Sequence, residues 1–93
     1  MIISFQCKET EKIWNGDLSR RLPKNIQEVS LRKLRFLDAA KCLEDLRIPP
    51  SNKLEALKGD RKGFHSMRVN NQWRVCFMWD EGDAMAVEIV DYH

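Results

Sequence analysis

At 93 residues and 11.0 kDa, the chain has room for one domain with a modest core, spanning 1–93, and excludes a second. Apolar residues make up 43% and charged residues 32%, a balance that excludes a disordered chain, and the longest apolar stretches are strand-sized, too short for a membrane-spanning helix. The net charge is only +2, but Lys and Arg crowd the middle while Asp80, Glu81, Asp83, Glu88 and Asp91 fall in a tail without either, an asymmetry that suits a basic face laid against a polyanion.

In chain order, Ile2-Ile3-Ser4-Phe5 reads as a short opening strand, without the basic region and long apolar core of a signal peptide, so a cytoplasmic location is expected. Thr10 to Trp14 reads as one or two helical turns, stopped by Asn15-Gly16. A longer helix runs from Pro23, which suits a first helical position, to about Ala40. Its Ile26, Val29, Leu34, Phe36, Leu37 and Ala40 fall in one broad arc at 100° per residue; Lys33 intrudes on the arc and is expected to snorkel at its edge. Glu28, Asp38, Glu44 and Asp45 interleave with the helix cations, so an ordinary solvated surface fits this stretch as well as a polyanion face does.

A further turn covers Leu43 to Arg47 before Pro49-Pro50 ends regular structure. The remainder reads as β: Phe64 to Val69, a turn at Asn70-Asn71, Trp73 to Trp79, a turn at Glu81-Gly82-Asp83, and Ala84 to Tyr92. Helices first and a strand meander later predict an α+β sandwich, with helices packed on one face of an antiparallel sheet. Strand alternation puts Trp73, Val75, Phe77 and Trp79 on one face and Arg74, Cys76 and Met78 on the other. Val87, Ile89 and Asp91 alternate with Glu88, Val90 and Tyr92, and a bulge would change which side Asp91 faces. Trp14, Trp73 and Trp79 are expected in the core, and His65 in a structural, hydrogen-bonding role.

Cys7, Cys42 and Cys76 are widely spaced, with no CxxC pair and only His65 and His93 to join them, so neither a zinc site nor any cofactor is expected. The candidate chemistry lies elsewhere. The sequence ends Asp91-Tyr92-His93 directly after an apolar strand, placing proton-moving and phosphate-binding groups together, and Lys58-Gly59-Asp60-Arg61 and Arg74 add fixed cations.

The run Leu57-Lys58-Gly59-Asp60-Arg61, then Asn70-Asn71-Gln72-Trp73-Arg74-Val75-Cys76-Phe77, then Val87-Glu88-Ile89-Val90-Asp91-Tyr92-His93 resembles the HigB branch of the RelE/ParE toxin superfamily. The likeness extends to the Ile-Ile-Ser-Phe start and to Leu37-Asp38-Ala39-Ala40. It implies a RelE-like sandwich and a type II toxin that enters the ribosomal decoding site, built of small-subunit rRNA, and cuts mRNA there. It also implies restraint by a HigA-type helix-turn-helix antitoxin, through which the complex reaches operator DNA. Carried over by motif, Asp91, Tyr92 and His93 become candidate catalytic residues, with Lys58, Arg68 and Arg74 binding phosphate. One position departs: where some relatives carry a functional histidine, this chain has Glu55.

The same residues meet the requirements of RNA cleavage. RNA carries its own nucleophile, the 2′-OH, so a metal-free ribonuclease needs a base for that proton, cations for the phosphorane-like charge and help for the leaving 5′-oxygen. His93 exchanges protons near neutrality, and Glu55 is the other candidate base. Arg74 offers a planar fork and Lys58 a point charge. Tyr92 is placed to stack on a base or bond phosphate, and Asp91 to orient His93 or an Arg. Arg61, Arg32 and Arg35 complete the expected RNA-binding cations. Simpler roles fit some of these: Arg68 and Arg74 pairing with Glu88 or Asp91 across the sheet, and residues 58–61 forming a solvated turn. Two other functions fit the scaffold, a ParE-like inhibitor of DNA gyrase and a catalytically weak module that regulates its antitoxin's DNA binding.

Overall fold

The structure, a computed structural model, describes residues 1–91; Tyr92 and His93 lie outside the described residues. Two helices, α1 (Lys8–Trp14) and α2 (Lys24–Ala39), precede four strands, β1 (Glu55–Ala56), β2 (Phe64–Arg68), β3 (Trp73–Asp80) and β4 (Asp83–Asp91). The strands form one antiparallel sheet in sequence order, and the helices pack on one of its faces, the expected α+β sandwich.

The helix arc supplies the core as its spacing predicts. Ile26, Leu34 and Leu37 of α2 are buried against Met67, Val75, Phe77, Val87 and Ile89 of the sheet. Trp14, Trp73 and Trp79 are partly buried and pack against this cluster. Pro23 sits just outside α2 as its N-cap, one residue earlier than expected for a first helical position. Helix α1 begins two residues before the expected Thr10, with Glu9 and Glu11 in its first turn, where the helix dipole favours acids. The buried Thr10 hydroxyl accepts the Ile89 N–H at 3.0 Å and pins this helix to β4.

The hairpins follow their turn chemistry. Glu81 and Gly82 both take positive φ, 46° and 89°, the conformation that a two-residue connection between Asp80 and Asp83 requires. At the other hairpin the Asn70 carboxamide oxygen accepts both Gln72 N–H and Trp73 N–H at 2.8 Å, an Asx turn.

The opening segment departs from the expected strand. Ile2 and Phe5 make isolated parallel bridges to Ala84 and Val87 of β4, three residues apart, so both side chains turn inward and Ile3 is exposed. The cause lies in β4: Ala86 takes φ 52°, a bulge that leaves two residues opposite Phe77, and its N–H donates to the Ser4 hydroxyl at 2.9 Å instead of extending a ladder. Between Pro49 and Phe64 the sequence reading found no regular structure. The chain there makes 3₁₀ turns at Pro50–Asn52 and Gly59–Arg61 and the two-residue edge strand β1. None of these is long enough to show a hydrophobic period.

Candidate active site

Register decides which side chains meet on the sheet face turned away from the helices. Pairing of Arg68 with Arg74, Ser66 with Cys76 and Glu55 with Ser66 puts Glu55, Ser66, Arg68, Arg74 and Cys76 on that face, with Glu88 opposite Cys76.

Arg74 is only 7% exposed. Its Nε donates to the buried Ser66 hydroxyl at 2.8 Å, and its Nη2 donates to the Lys53 carbonyl and lies 3.9 Å from Glu55 Oε1. Among the described residues the guanidinium is thus held by Ser66 and Lys53, with the half-exposed Glu55 carboxylate beside it. Lys53 presents its carbonyl from a left-handed conformation, φ 45°, that ends the Pro50–Asn52 turn. Together Lys53, Glu55, Arg68, Asn70, Asn71 and Arg74 line an open cavity of about 310 Å3. Arg68 forms no ion pair among the described residues, so its charge faces the cavity without a carboxylate against it.

Of the residues expected from sequence, Glu55, Arg68 and Arg74 therefore converge. The other cations do not line the cavity. Lys58 is exposed ahead of the Gly59–Arg61 turn, and Arg61 is 3.6 Å from Glu88 and 5.7 Å from the Phe64 ring centre. Arg32 and Arg35 lie on the exposed side of α2, in the layer across the sheet. Asp91 pairs with Trp73, on the opposite face from Arg74, and its carboxylate accepts from Gln72 Nε2 at 3.1 Å. The bulge lies at Ala86, before Glu88, so alternation from Val87 to Asp91 is unbroken. The candidate roles of Tyr92 and His93 fall outside the described residues.

Burial shifts the titration of two groups in the sheet, one on each face. The Cys76 thiol is pushed up from its ordinary value by desolvation, with smaller effects from Arg61, which lowers it, Glu88, which raises it, and Arg74, which lowers it. The His65 imidazole is pushed below its usual value, first by burial and then by the charge of Arg47. His65 stacks on Phe77 at 6.0 Å between ring centres, while its buried Nδ1 has no hydrogen-bond partner among the described residues. It packs, rather than serving the hydrogen-bonding role expected of it.

Ser66, Lys53 and the two asparagines were missed as site residues. For Ser66 a signal existed, because a hairpin centred on Asn71 sets it diagonally beside Arg74. The backbone carbonyl of Lys53 has no sequence signature.

Comparison with known proteins matches residues 3–93 to the model of the HigB-like toxin family, described as RelE-like toxins of the type II toxin–antitoxin system HigB. Toxin HigB-1 of Vibrio cholerae is 44% identical over 86 residues, covering 91% of this chain and 90% of that protein. Endoribonuclease HigB of Proteus vulgaris is 31% identical over 93 residues, covering 100% of both. A chain of the YoeB-YefM complex from Staphylococcus aureus shares the fold, with a TM-score of 0.63 at 20% identity, covering 100% of this chain and 95% of that one. With its length matched nearly end to end by that family model, the chain belongs to the HigB-like family of RelE-like toxins of type II toxin–antitoxin systems.

Proposed function

We propose that this endoribonuclease toxin cuts mRNA lying in the ribosomal decoding site, by transesterification, and so stops translation. The observation that carries the reading is the Arg68–Arg74 pair at the mouth of a polar cavity, one guanidinium fixed by Ser66 and Lys53 and the other turned toward any ligand. Two arginines paired across neighbouring strands and lining one cavity favour a ligand carrying negative charge, and a scissile phosphate supplies it.

In the reaction, the 2′-oxygen attacks the adjacent phosphorus and the bond to the 5′-oxygen breaks, giving a 2′,3′-cyclic phosphate and a 5′-hydroxyl. One group takes the 2′ proton and another protonates the departing oxygen. Arg74 is preorganised to stabilise the charge that grows on the nonbridging oxygens, a contribution of about 10²–10³-fold for a well-placed donor. Arg68 and Lys58 hold flanking phosphate, and Arg61, Arg32 and Arg35 contribute positive potential toward rRNA. His93 and Glu55 are the two proton carriers, with Asp91 and Tyr92 orienting His93 and the substrate. Glu55 lies beside Arg74, where a base would have to act.

A small cavity with few groups to read bases relies on the ribosome to align the message, since alignment supplies much of such a rate. The toxin is restrained by an antitoxin of the HigA helix-turn-helix type, through which it reaches operator DNA, and it works in the cytoplasm. Among the described residues no helix is long and apolar enough to cross a membrane.

Primer extension on cellular mRNA after toxin expression tests the reading. Cuts inside translated codons, with purified protein nearly inactive on naked RNA, are expected. Equal cleavage of free and ribosome-bound message would overturn ribosome dependence. Broken DNA with intact mRNA would instead point to gyrase inhibition, and neither product to a regulatory module.

A further inference from the structure

Lys33 is the residue that breaks the apolar arc of α2, and a cation at that position calls for a reason. Its ammonium donates to the side-chain oxygen of Asn52, a residue with no solvent exposure. Burial is also the main cause that lowers the Lys33 pKa, with the Arg32 charge second. The Asn52 amide nitrogen donates to the Leu46 carbonyl at 3.2 Å, and its backbone N–H closes the 3₁₀ turn on Pro49 O at 3.0 Å. Every connection of Asn52 therefore fixes the turn on which it sits. The next residue is Lys53, which leaves that turn in a left-handed conformation and gives its carbonyl to Arg74 Nη2.

We infer that Lys33 and Asn52 are positioning residues for Arg74, holding the Lys53 carbonyl where it aims the guanidinium into the cavity. The inference deepens the proposed function and rests on Arg74 stabilising the reacting phosphate. Among the described residues, the side-chain hydroxyl of Ser66 and the backbone carbonyl of Lys53 support Arg74 in different ways. Ser66 comes from the neighbouring strand and is fixed by sheet register, whereas Lys53 ends the 3₁₀ turn ahead of β1, two residues before the strand pairing of Glu55 begins. A loop carbonyl can orient a catalytic charge only if the loop is itself anchored, and the Lys33–Asn52 contact is the anchor to α2. The chain Lys33, Asn52, Lys53 carbonyl, Arg74 thus joins the helix layer to the face that carries the site. Misplacement of a reacting group by about 1 Å costs up to about 10²-fold in rate, so release of the anchor is felt at the chemistry.

The test is a double-mutant cycle on single-turnover cleavage of ribosome-bound mRNA at saturating ribosomes, at temperatures below the melting onset of each variant. Lys33→Met keeps the stem and removes the donor; Asn52→Leu breaks the same contact without changing charge. Each is expected to lower the saturated rate about tenfold or more, and Lys33→Arg, which keeps a donor on a long stem, to restore most of it. In an Arg74→Ala background, Lys33→Met is expected to change the rate by less than about twofold, because coupled residues are not additive. Proton exchange at Arg74 Nη2, which donates to the Lys53 carbonyl, followed by nitrogen NMR on the free protein, should quicken in Lys33→Met; this reads the anchor without any assay of cleavage. A wild-type rate and wild-type Nη2 exchange in folded Lys33→Met, with Arg74→Ala impaired, would overturn the positioning role alone. Wild-type cleavage by Arg74→Ala would overturn the phosphate role of Arg74, and the inference with it.

Discussion

Arg68 and Arg74 stand directly opposite each other on β2 and β3, two guanidiniums on one face of the sheet. Like charges so placed oppose strand pairing by about 0.2–1 kcal/mol, a cost that Glu55 offsets on the Arg74 side. A ligand phosphate would offset the rest.

Arg68→Ala should therefore leave thermal stability unchanged or slightly raised while weakening RNA binding. The slope of affinity against salt should fall by about one charge. Melting curves and binding titrations at several ionic strengths check both; a loss of stability with unchanged binding would make Arg68 structural.

Arg74→Ala should separate rate from affinity. With ribosomes saturating, single-turnover cleavage is expected to fall about 10²-fold, whereas charge reversal at Arg32 and Arg35 should mainly weaken ribosome binding in a salt-dependent manner. If Arg74→Ala cleaves normally once bound, its hydrogen bonds to Ser66 and Lys53 serve the fold alone.

The proton carrier is decided by a pair of amide substitutions. His93→Gln and Glu55→Gln each keep a hydrogen-bonding group but cannot shuttle a proton, and the one that removes the base should cost about 10²-fold or more. Glu55→Gln also takes a charge from beside Arg74, so thermal melts of both variants accompany the kinetics.

His65 makes stability depend on pH. Burial holds its folded pKa below the ordinary imidazole value of about 6.5, so below that value the unfolded chain binds a proton that the folded chain refuses. Stability should rise with pH from the folded pKa up to about 6.5 and be lost on acidification through that window. His65→Phe should flatten this part of the melting-temperature profile; an unchanged slope would assign it to other groups.

Thiol reactivity should follow burial. Cys42 is exposed, Cys7 half-buried and Cys76 buried, its thiol pushed up by desolvation and set near the Arg61–Glu88 pair. Alkylation of the native protein should label Cys42 first and Cys76 only after unfolding, as mass spectrometry of timed samples would show.

What the sequence made legible follows from period and turn chemistry. The α2 arc, the Trp73 to Trp79 alternation and the Glu81-Gly82 turn each carry a local signal, and a hairpin centred on Asn71 makes Arg68 meet Arg74 by counting alone. Glu55 was recognisable only from the family pattern, since β1 is two residues long, and its contact with Arg74 spans the width of β2. The Lys53 carbonyl was illegible because a left-handed non-glycine residue is imposed by its surroundings, not by its own preference. Lys33 was the reverse case, a local anomaly visible at once whose meaning needed the buried Asn52 to be seen beside it.

The bulge at Ala86 ties the length of β4 to that of the opening segment. Ile2 to Phe5 and Ala84 to Val87 are equal steps along adjacent backbones, while β3 spans the same interval with one residue fewer. Removing Ala86 would make the β3–β4 ladder regular and leave the Arg74 row in register, yet it would put Phe5 out of step with Val87 and turn one of its inward-facing side chains to solvent. A matching deletion at Ile3 or Ser4 should recover much of the loss. Insertions and deletions in these two segments are thus tolerated only in pairs, a constraint on chain length that operates at the β4 edge of the sheet, opposite the edge formed by β1.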